Sequence, residues 1–376
     1  MKLLFVGEFA GFAGGIERYI YKTAELLREH GHSISGLFKE PGKGEADFCT
    51  VFDKTYFLKE LDSVPDDFDF AIIHKVRDPL IMATLLQRFR VITVIHDHEY
   101  YCPRHSLYYP IIYKNCFYTT SRLLCGLCGM TRLCSNSLLK KAYESFFTSP
   151  RLWHKICASE RLVVLSEFMR KLAVTNGAPE DKTKIIYPYI KLPEVVSSVK
   201  INSDPPHLLV PGQLVRGKGV DQLLKAVPKI KGEFVIDILG SGKDEERLRI
   251  QAKPLGEAVQ FHGWQNHPET FFAKASAVLL PWRWLEPFGL VGPEALANGI
   301  PLVGFNVGGI GEYLIDGETG LLAPRGNIKA FAEAVSRIVA SPELRAELGE
   351  NGRELVKNKF SKQRFIESWE TLLLSK

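Results

Sequence analysis

Residues 277–297 read AVLLPWRWLEPFGLVGPEALA. The opening run, AVLLPW, is apolar without alternation and has the pattern of a strand buried on both faces, ending near Trp282. Pro293 suits the first position of a following helix. The loop between them carries Glu286, Phe288 and Gly289, and Glu294 falls in the first helical turn. A plain strand-to-helix turn needs neither glutamate. Their spacing lets both face one pocket from two places, with the N–H groups of Phe288, Gly289 and Leu290 between them. Carboxylates accept paired hydrogen bonds from vicinal hydroxyls, and N–H groups at a helix start hold phosphate oxygens. The set fits a ribose, a diphosphate and a sugar. Glu294 alone would also be explained by the helix dipole; the whole segment is not.

Working outward, the same rhythm of short apolar run and amphipathic stretch fills the chain. It precedes the segment at HLLVPG (207–212), VIDILG (235–240) and VQFHG (259–263), and follows it at PLVGF (301–305) and GLLA (320–323). It also fills the first half, at LLFV (3–6), SISGLF (33–38), FAIIHK (70–75), VITVIHD (91–97), LVVLS (162–166) and KIIYP (184–188). Residues 15–30 place Ile16, Ile20, Thr23, Leu26 and Leu27 at helical spacing, with Gly31 as the stop. A βαβ rhythm argues for parallel sheets covered on both faces. Residues 192–207 lose the rhythm and are rich in Pro and Ser, the composition of a linker. The chain is too long for one core. Two doubly wound α/β domains are expected, over 1–195 and 205–359.

The 376 residues carry 48 Lys and Arg against 43 Asp and Glu, and the excess is local. Residues 100–175 hold 11 basic and 3 acidic side chains, interleaved with aromatics such as Tyr108, Tyr109, Phe146 and Trp153. This suits an anionic membrane surface or a nucleic acid; a solvated basic face over buried aromatics is the plainer alternative. No run of 18 or more uncharged residues reads as a membrane span. The first apolar run has four residues, too few for a signal peptide. The expected location is the cytoplasm, peripherally on the inner face of the membrane, with reduced cysteines.

Other polar signals fall where strands should end, which is where open α/β sheets bind ligands. Gly14 and Gly15 precede the first helix and could present its N–H groups to a phosphate, or simply make a tight turn. No P-loop pattern is present. His96-Asp97-His98-Glu99 closes a buried strand; four titratable residues there point to site chemistry, and a His-x-His metal pair ranks lower. GQLVRGKGVD (212–221) sets Arg216 and Lys218 in a glycine-spaced loop that starts at Gly212, before a helix. Cations there suit a diphosphate.

These residues together carry a resemblance. GQLVRGKGVDQLLKA, LGSG, FHGW and the run from Pro281 to Leu322, with GGIERYI and the His-Asp pair, resemble the family-4 retaining glycosyltransferases of the GT-B fold. The resemblance implies two Rossmann-like domains facing across a cleft, the second holding a nucleotide-sugar donor and the first a glycan or lipid-linked acceptor. It implies that Glu294 binds the ribose and Glu286 the donor sugar. Lys218 would stabilise the leaving diphosphate, and the 288–290 N–H groups would line the sugar and diphosphate. His96 would sit by the donor sugar, and Gly14 and Gly15 would close on the diphosphate. It implies that the last helix, 360–376, packs back on the first domain. Retention with no evident nucleophilic carboxylate favours a front-face displacement, with cations in place of a divalent metal, so no cofactor is required. Gln213 stands where the family has Arg, and Arg216 is the candidate substitute. A sugar-nucleotide epimerase, a phosphorylase, or a non-enzymatic Zn-stabilised basic protein are the alternatives. The last would bind nucleic acid, which the transferase reading does not expect, and would leave Glu286, Glu294 and Lys218 unexplained.

Five cysteines crowd residues 102–134. The C-x-x-C at Cys125 and Cys128, with Cys102 and Cys116, has the look of a structural zinc site. Free buried cysteines are the next reading and an iron–sulfur cluster the third.

Overall fold

The computed structural model describes residues 1–109, 114–116, 119–131, 137–193 and 205–375. Two units emerge. The first gathers residues 1–106, 117–186 and 368–376, the second 107–116 and 187–367. The second unit thus begins at Tyr187, ahead of the expected boundary at 195, and takes in a short piece of the first half. Most of the expected linker lies outside the described residues.

The first unit is built on β1 (Lys2–Ala10), β2 (Ser33–Pro41), β3 (Lys54–Phe57), β4 (Phe70–Ile73) and β5 (Val91–Ile95). An antiparallel pair of two-residue strands, β6 (Tyr108–Tyr109) and β7 (Lys114–Asn115), interrupts the series and groups with the other unit. β8 (Arg161–Val164) and β9 (Thr183–Ile185) complete it. The sheet runs β3-β2-β1-β4-β5-β8-β9, all parallel. Leu3–Val6, Phe70–Ile73 and Val91–Ile95 are buried throughout, as uninterrupted apolar runs in a covered parallel sheet must be. β3 has no apolar run: at the sheet edge only Tyr56 is buried, so hydrophobic pattern alone does not reveal it. The helix Gly15–Glu29 buries Tyr19, Ile20, Thr23, Ala24, Leu26 and Leu27, and Gly31, with φ +87°, turns the chain out of it.

The final helix, Lys362–Leu374, begins in the second unit and ends in the first, where residues 368–376 group. Three contacts fasten that end. Trp369 is fully buried. His32 Nε2 meets Glu370 Oε1 at 2.8 Å. Arg161, itself buried, donates to the Leu372 carbonyl at 2.7 Å and to that of Ser375, supplying helix-end carbonyls with the donors they lack within the helix.

The second unit is built on β10 (His207–Pro211), β11 (Val235–Leu239), β12 (Val259–Gly263), β13 (Ala275–Leu280), β14 (Leu302–Phe305) and β15 (Gly320–Ala323). Its parallel order, β12-β11-β10-β13-β14-β15, repeats the plan of the first. Behind the site loop, the helix Val291–Ala297 packs against the helix Pro342–Lys359. Gly349 allows the approach: a Cβ there would lie 2.1 Å from the Gly299 carbonyl oxygen. Arg353 Nη1 then donates to the Ala297 carbonyl at 2.8 Å.

Removing the indole that pins the last helix, in Trp369→Ala, leaves a large void. It should destabilise the first unit by roughly 3–5 kcal/mol. Urea unfolding, followed for each unit separately by hydrogen exchange, is expected to show the loss in residues 1–106 and not in 205–359.

Candidate functional site

Both sheets reverse their strand order beside their first strand, between β1 and β4 and between β10 and β13. Loops leaving those neighbours diverge to opposite faces and open a crevice at the strand ends. In the second unit the loop after β10 carries Arg216–Lys218 as one 3-10 turn, and the chain after β13 carries Pro281–Glu286. The two lie directly on each other. The Arg283 and Trp284 N–H groups donate to the Gly217 carbonyl at 2.8 and 3.2 Å. A Cβ on Gly217 would strike the Trp284 ring at 2.3 Å, and one on Gly219, which holds φ +69°, would strike the Pro281 carbonyl at 1.8 Å.

This contact sets Lys218 in place. Its Nζ lies 2.7 Å from Glu286 Oε2, 4.1 Å from the Trp282 ring centre and 5.1 Å from that of Trp284. Glu286 Oε2 also accepts from Trp284 Nε1 at 2.7 Å. Both charges are largely buried, with side-chain exposures of 18% and 13%. Of the expected residues, these two are therefore joined directly. Arg216 points elsewhere: its Nε lies 3.1 Å from Asp244 Oδ2, which Arg247 shares at 2.9 Å. Gln213 is exposed. Sequence reasoning missed Arg283, whose guanidinium grips Asp221 at 2.5 and 2.7 Å beneath the lysine loop. Burial opposes ionisation of Asp221, but Arg283 outweighs it and holds the carboxyl below its ordinary range. The signal was an Arg between two tryptophans at a strand end.

The rest of 286–294 follows the expected course with one shift. The helix starts at Val291, so Pro293 is its third residue, not its first. Proline fits there because first-turn N–H groups have no intrahelical acceptor. Gly289 has φ +82°, and a Cβ on it would meet the Trp282 ring at 2.6 Å. Its carbonyl accepts from Tyr313 Oη at 3.1 Å and from the Gly292 N–H at 3.1 Å. The Phe288 side chain is buried against Tyr313 and Phe360, so only its backbone can face a ligand. Among the described residues the N–H groups of Phe288, Gly289 and Leu290 have no protein acceptor. Glu294 is exposed in the first turn. Gly212, with φ +138°, has open space where a Cβ would stand.

The first unit presents its own set at the ends of β1, β4 and β5. His96 follows β5, and its Nε2 lies 3.0 Å from His74 Nδ1, one imidazole donating and the other accepting. Burial, with Lys75 nearby, pushes His96 down to about 3, and burial beside His96 pushes His74 lower than usual too, so both rings are neutral. His74 was not anticipated; it is fully covered, stacked on Phe5. Glu99 binds Lys75 Nζ at 2.9 Å and Arg77, which also reaches Glu8 at 2.9 Å. Burial opposes the Glu99 charge, yet Lys75, His105 and Arg77 hold it down at about 2. Burial raises Asp97, 3.8 Å from Lys75. His98 is buried, with Nδ1 2.6 Å from Tyr101 Oη. Gly14 and Gly15 are exposed at the start of the first helix, and neither φ nor a neighbour forbids a side chain at Gly15.

Cys102, Cys125 and Cys128 group with the first unit and Cys116 with the second. Among the described residues no group of three or more His, Cys, Asp or Glu is placed to hold a metal ion. Cys134 lies outside them.

Residues 193–355 match the model of the family described as glycosyl transferases group 1. The lipopolysaccharide core biosynthesis glycosyltransferase LpsE of Rhizobium meliloti is 33% identical over 176 residues, 46% of this chain and 51% of that protein. The chain thus spans about half the length of curated relatives such as LpsE. An uncharacterized glycosyltransferase of Haemophilus influenzae is 25% identical over 96% of this chain and 97% of its own length. Among solved structures, HepE of Anabaena in complex with UDP superposes with a TM-score of 0.73 at 17% identity, over 99% of both chains. The fold, two parallel-sheet units, is that of the GT-B glycosyltransferases.

The depressed Glu99 carboxyl makes a pH prediction. Its folded value lies below the ordinary 4.5, so its stabilisation is complete above pH 4.5 and disappears as pH falls towards 2. The contribution is roughly 3 kcal/mol. Glu99→Gln is expected to flatten the decline in stability between pH 4.5 and 2, measured by urea unfolding at stepped pH; an unchanged slope would count against the network.

Proposed function

We propose that the protein is a retaining glycosyltransferase that moves a sugar from a nucleotide-sugar donor to a polysaccharide or lipopolysaccharide-type acceptor. The Lys218–Glu286 pair carries this reading. It stands at the strand-order reversal of a unit whose sequence matches the group 1 glycosyl transferases.

The second unit holds the donor. Glu294 takes the ribose hydroxyls, and the N–H groups at 288–290, which have no acceptor among the described residues, take the diphosphate and sugar oxygens. As the glycosidic bond to the diphosphate breaks, negative charge collects on the leaving oxygen. Lys218 is already held and partly desolvated beside that position, so its charge reaches the leaving group by exchanging Glu286 for the diphosphate. Glu286 and the two indoles hold the ammonium until a diphosphate claims it. Glu286 is committed to Lys218 and Trp284, an arrangement that suits orienting the sugar better than attacking its anomeric carbon. A front-face displacement by the acceptor hydroxyl accounts for retention. Arg216 serves the diphosphate only by leaving Asp244. In the first unit, Gly14 and Gly15 leave a helix start open to an anion. His96, neutral across the working pH range, hydrogen-bonds a sugar hydroxyl and transfers no charge.

The acceptor belongs to the first unit. There Leu123, Leu124, Leu127, Leu139 and Tyr143 are exposed near the basic residues Lys140 and Lys141, a mixture suited to peripheral contact with an anionic membrane. No helix among the described residues is long and apolar enough to cross a membrane.

Isothermal titration with UDP, GDP, ADP and TDP, followed by turnover with the matching nucleotide sugars, tests this reading. One nucleoside diphosphate should bind the wild type and bind Glu294→Ala at least about tenfold more weakly. Lys218→Ala should lower kcat by roughly 10²-fold or more. If no nucleoside diphosphate binds, the reading fails.

A further inference from the structure

The first unit contains a cavity of about 920 Å³ that the donor chemistry leaves unused. It lies at the ends of the strands on the β1–β4 side of the sheet. Its lining comes from Glu8 of β1, Lys39 of β2, the 75–81 segment after β4, and the helical stretch from Lys140 to Lys155. That is the ligand position of an open α/β sheet, at the reversal of strand order. The volume is that of a small-molecule site, well beyond a packing defect.

Its charge is one-sided. Lys39, Lys75, Arg77, Lys140, Arg151 and Lys155 line it, against Glu8, Asp78 and Glu144. Lys39 lies 3.4 Å from Glu40, and the other five cations fall into two groups. Lys75 and Arg77 are held by Glu99 and Glu8 and form a positioned floor. Lys140, Arg151 and Lys155 come from the helical stretch, and among the described residues none has a carboxylate at ion-pair distance. Three unneutralised cations around a concave space concentrate positive potential in it. Another part of the lining is apolar, with Leu58, Val76 and Leu80, the last 77% exposed. A pocket with a cationic wall and an apolar side fits a ligand whose anionic group is attached to a less polar body. A neutral glycan would leave those cations unused.

We propose that this cavity seats a phosphate group of the acceptor, with Arg151 and Lys155 as its ligands and the Leu80 side taking the body attached to it. The proposal rests on the first unit being the acceptor unit. The phosphate could be carried by a lipid or by a soluble phosphorylated sugar.

The test uses the full chain and the double variant Arg151→Ala/Lys155→Ala. Glucose 1-phosphate is titrated by calorimetry with UDP present in excess, so that the donor pocket cannot take it. Flotation is run in parallel with phosphatidylglycerol and with phosphatidylcholine vesicles. The wild type should bind glucose 1-phosphate or the phosphatidylglycerol vesicles, and the double variant should bind that probe at least about tenfold more weakly. Loss confined to glucose 1-phosphate identifies a soluble phosphosugar; loss confined to phosphatidylglycerol identifies a lipid-borne phosphate. Equal binding by both proteins, or binding of neither probe by the wild type, overturns the proposal. UDP titrated alone should bind both proteins equally. If UDP fails to bind while the anion effect persists, the transferase reading falls and the phosphate site stands.

Discussion

The functional geometry depends on one constraint. A parallel sheet needs crossovers of one hand, so a sheet covered on both faces must reverse its strand order somewhere. Both units reverse it beside the first strand, and neighbouring loops part there. The second unit fills the gap with a lysine held by a glutamate and two indoles. The first fills it with a carboxylate–cation network and a basic cavity. Glycines make the filling tight. Gly240, at φ +118°, lets the loop after β11 reach the Gly212 carbonyl, where a Cβ would lie at 2.0 Å.

The charges in the two crevices are arranged differently. In the second unit a single cation is held between one carboxylate and two indoles. In the first, Glu99 is locked by Lys75 and Arg77 and holds its charge far into acid. That network is scaffolding: it fixes where two cations point. The imidazoles beside it are the reverse case, since burial strips both of charge.

Much of this was legible before the structure. Buried parallel strands write themselves as continuous apolar runs, so β1, β4, β5, β8 and β13 could be placed from Leu3, Phe70, Val91, Leu162 and Ala277 onward. The edge strand β3 could not, because an edge buries one face and carries no such run. Residues close together in sequence, such as Glu286 and Glu294, carried the expectation of a site. Pairs joined only by the fold did not. His74 meets His96 across 22 residues, and Arg283 meets Asp221 across 62. His98, in the same cluster of titratable residues, is buried with its ring against Tyr101 Oη. Sequence places polar residues at strand ends; only packing decides which of them face outward.

The bond from the Trp284 indole to Glu286 has a consequence beyond binding. An indole's emission depends on the charges around it, and here a cation and an anion flank the same ring. A ligand that draws Lys218 away leaves the anion in place and alters the field across Trp284, and across Trp282 beside it. The chain therefore contains its own optical probe at the point of interest. Occupancy of the crevice can be followed by intrinsic fluorescence without a label, provided the chain's other three tryptophans are accounted for.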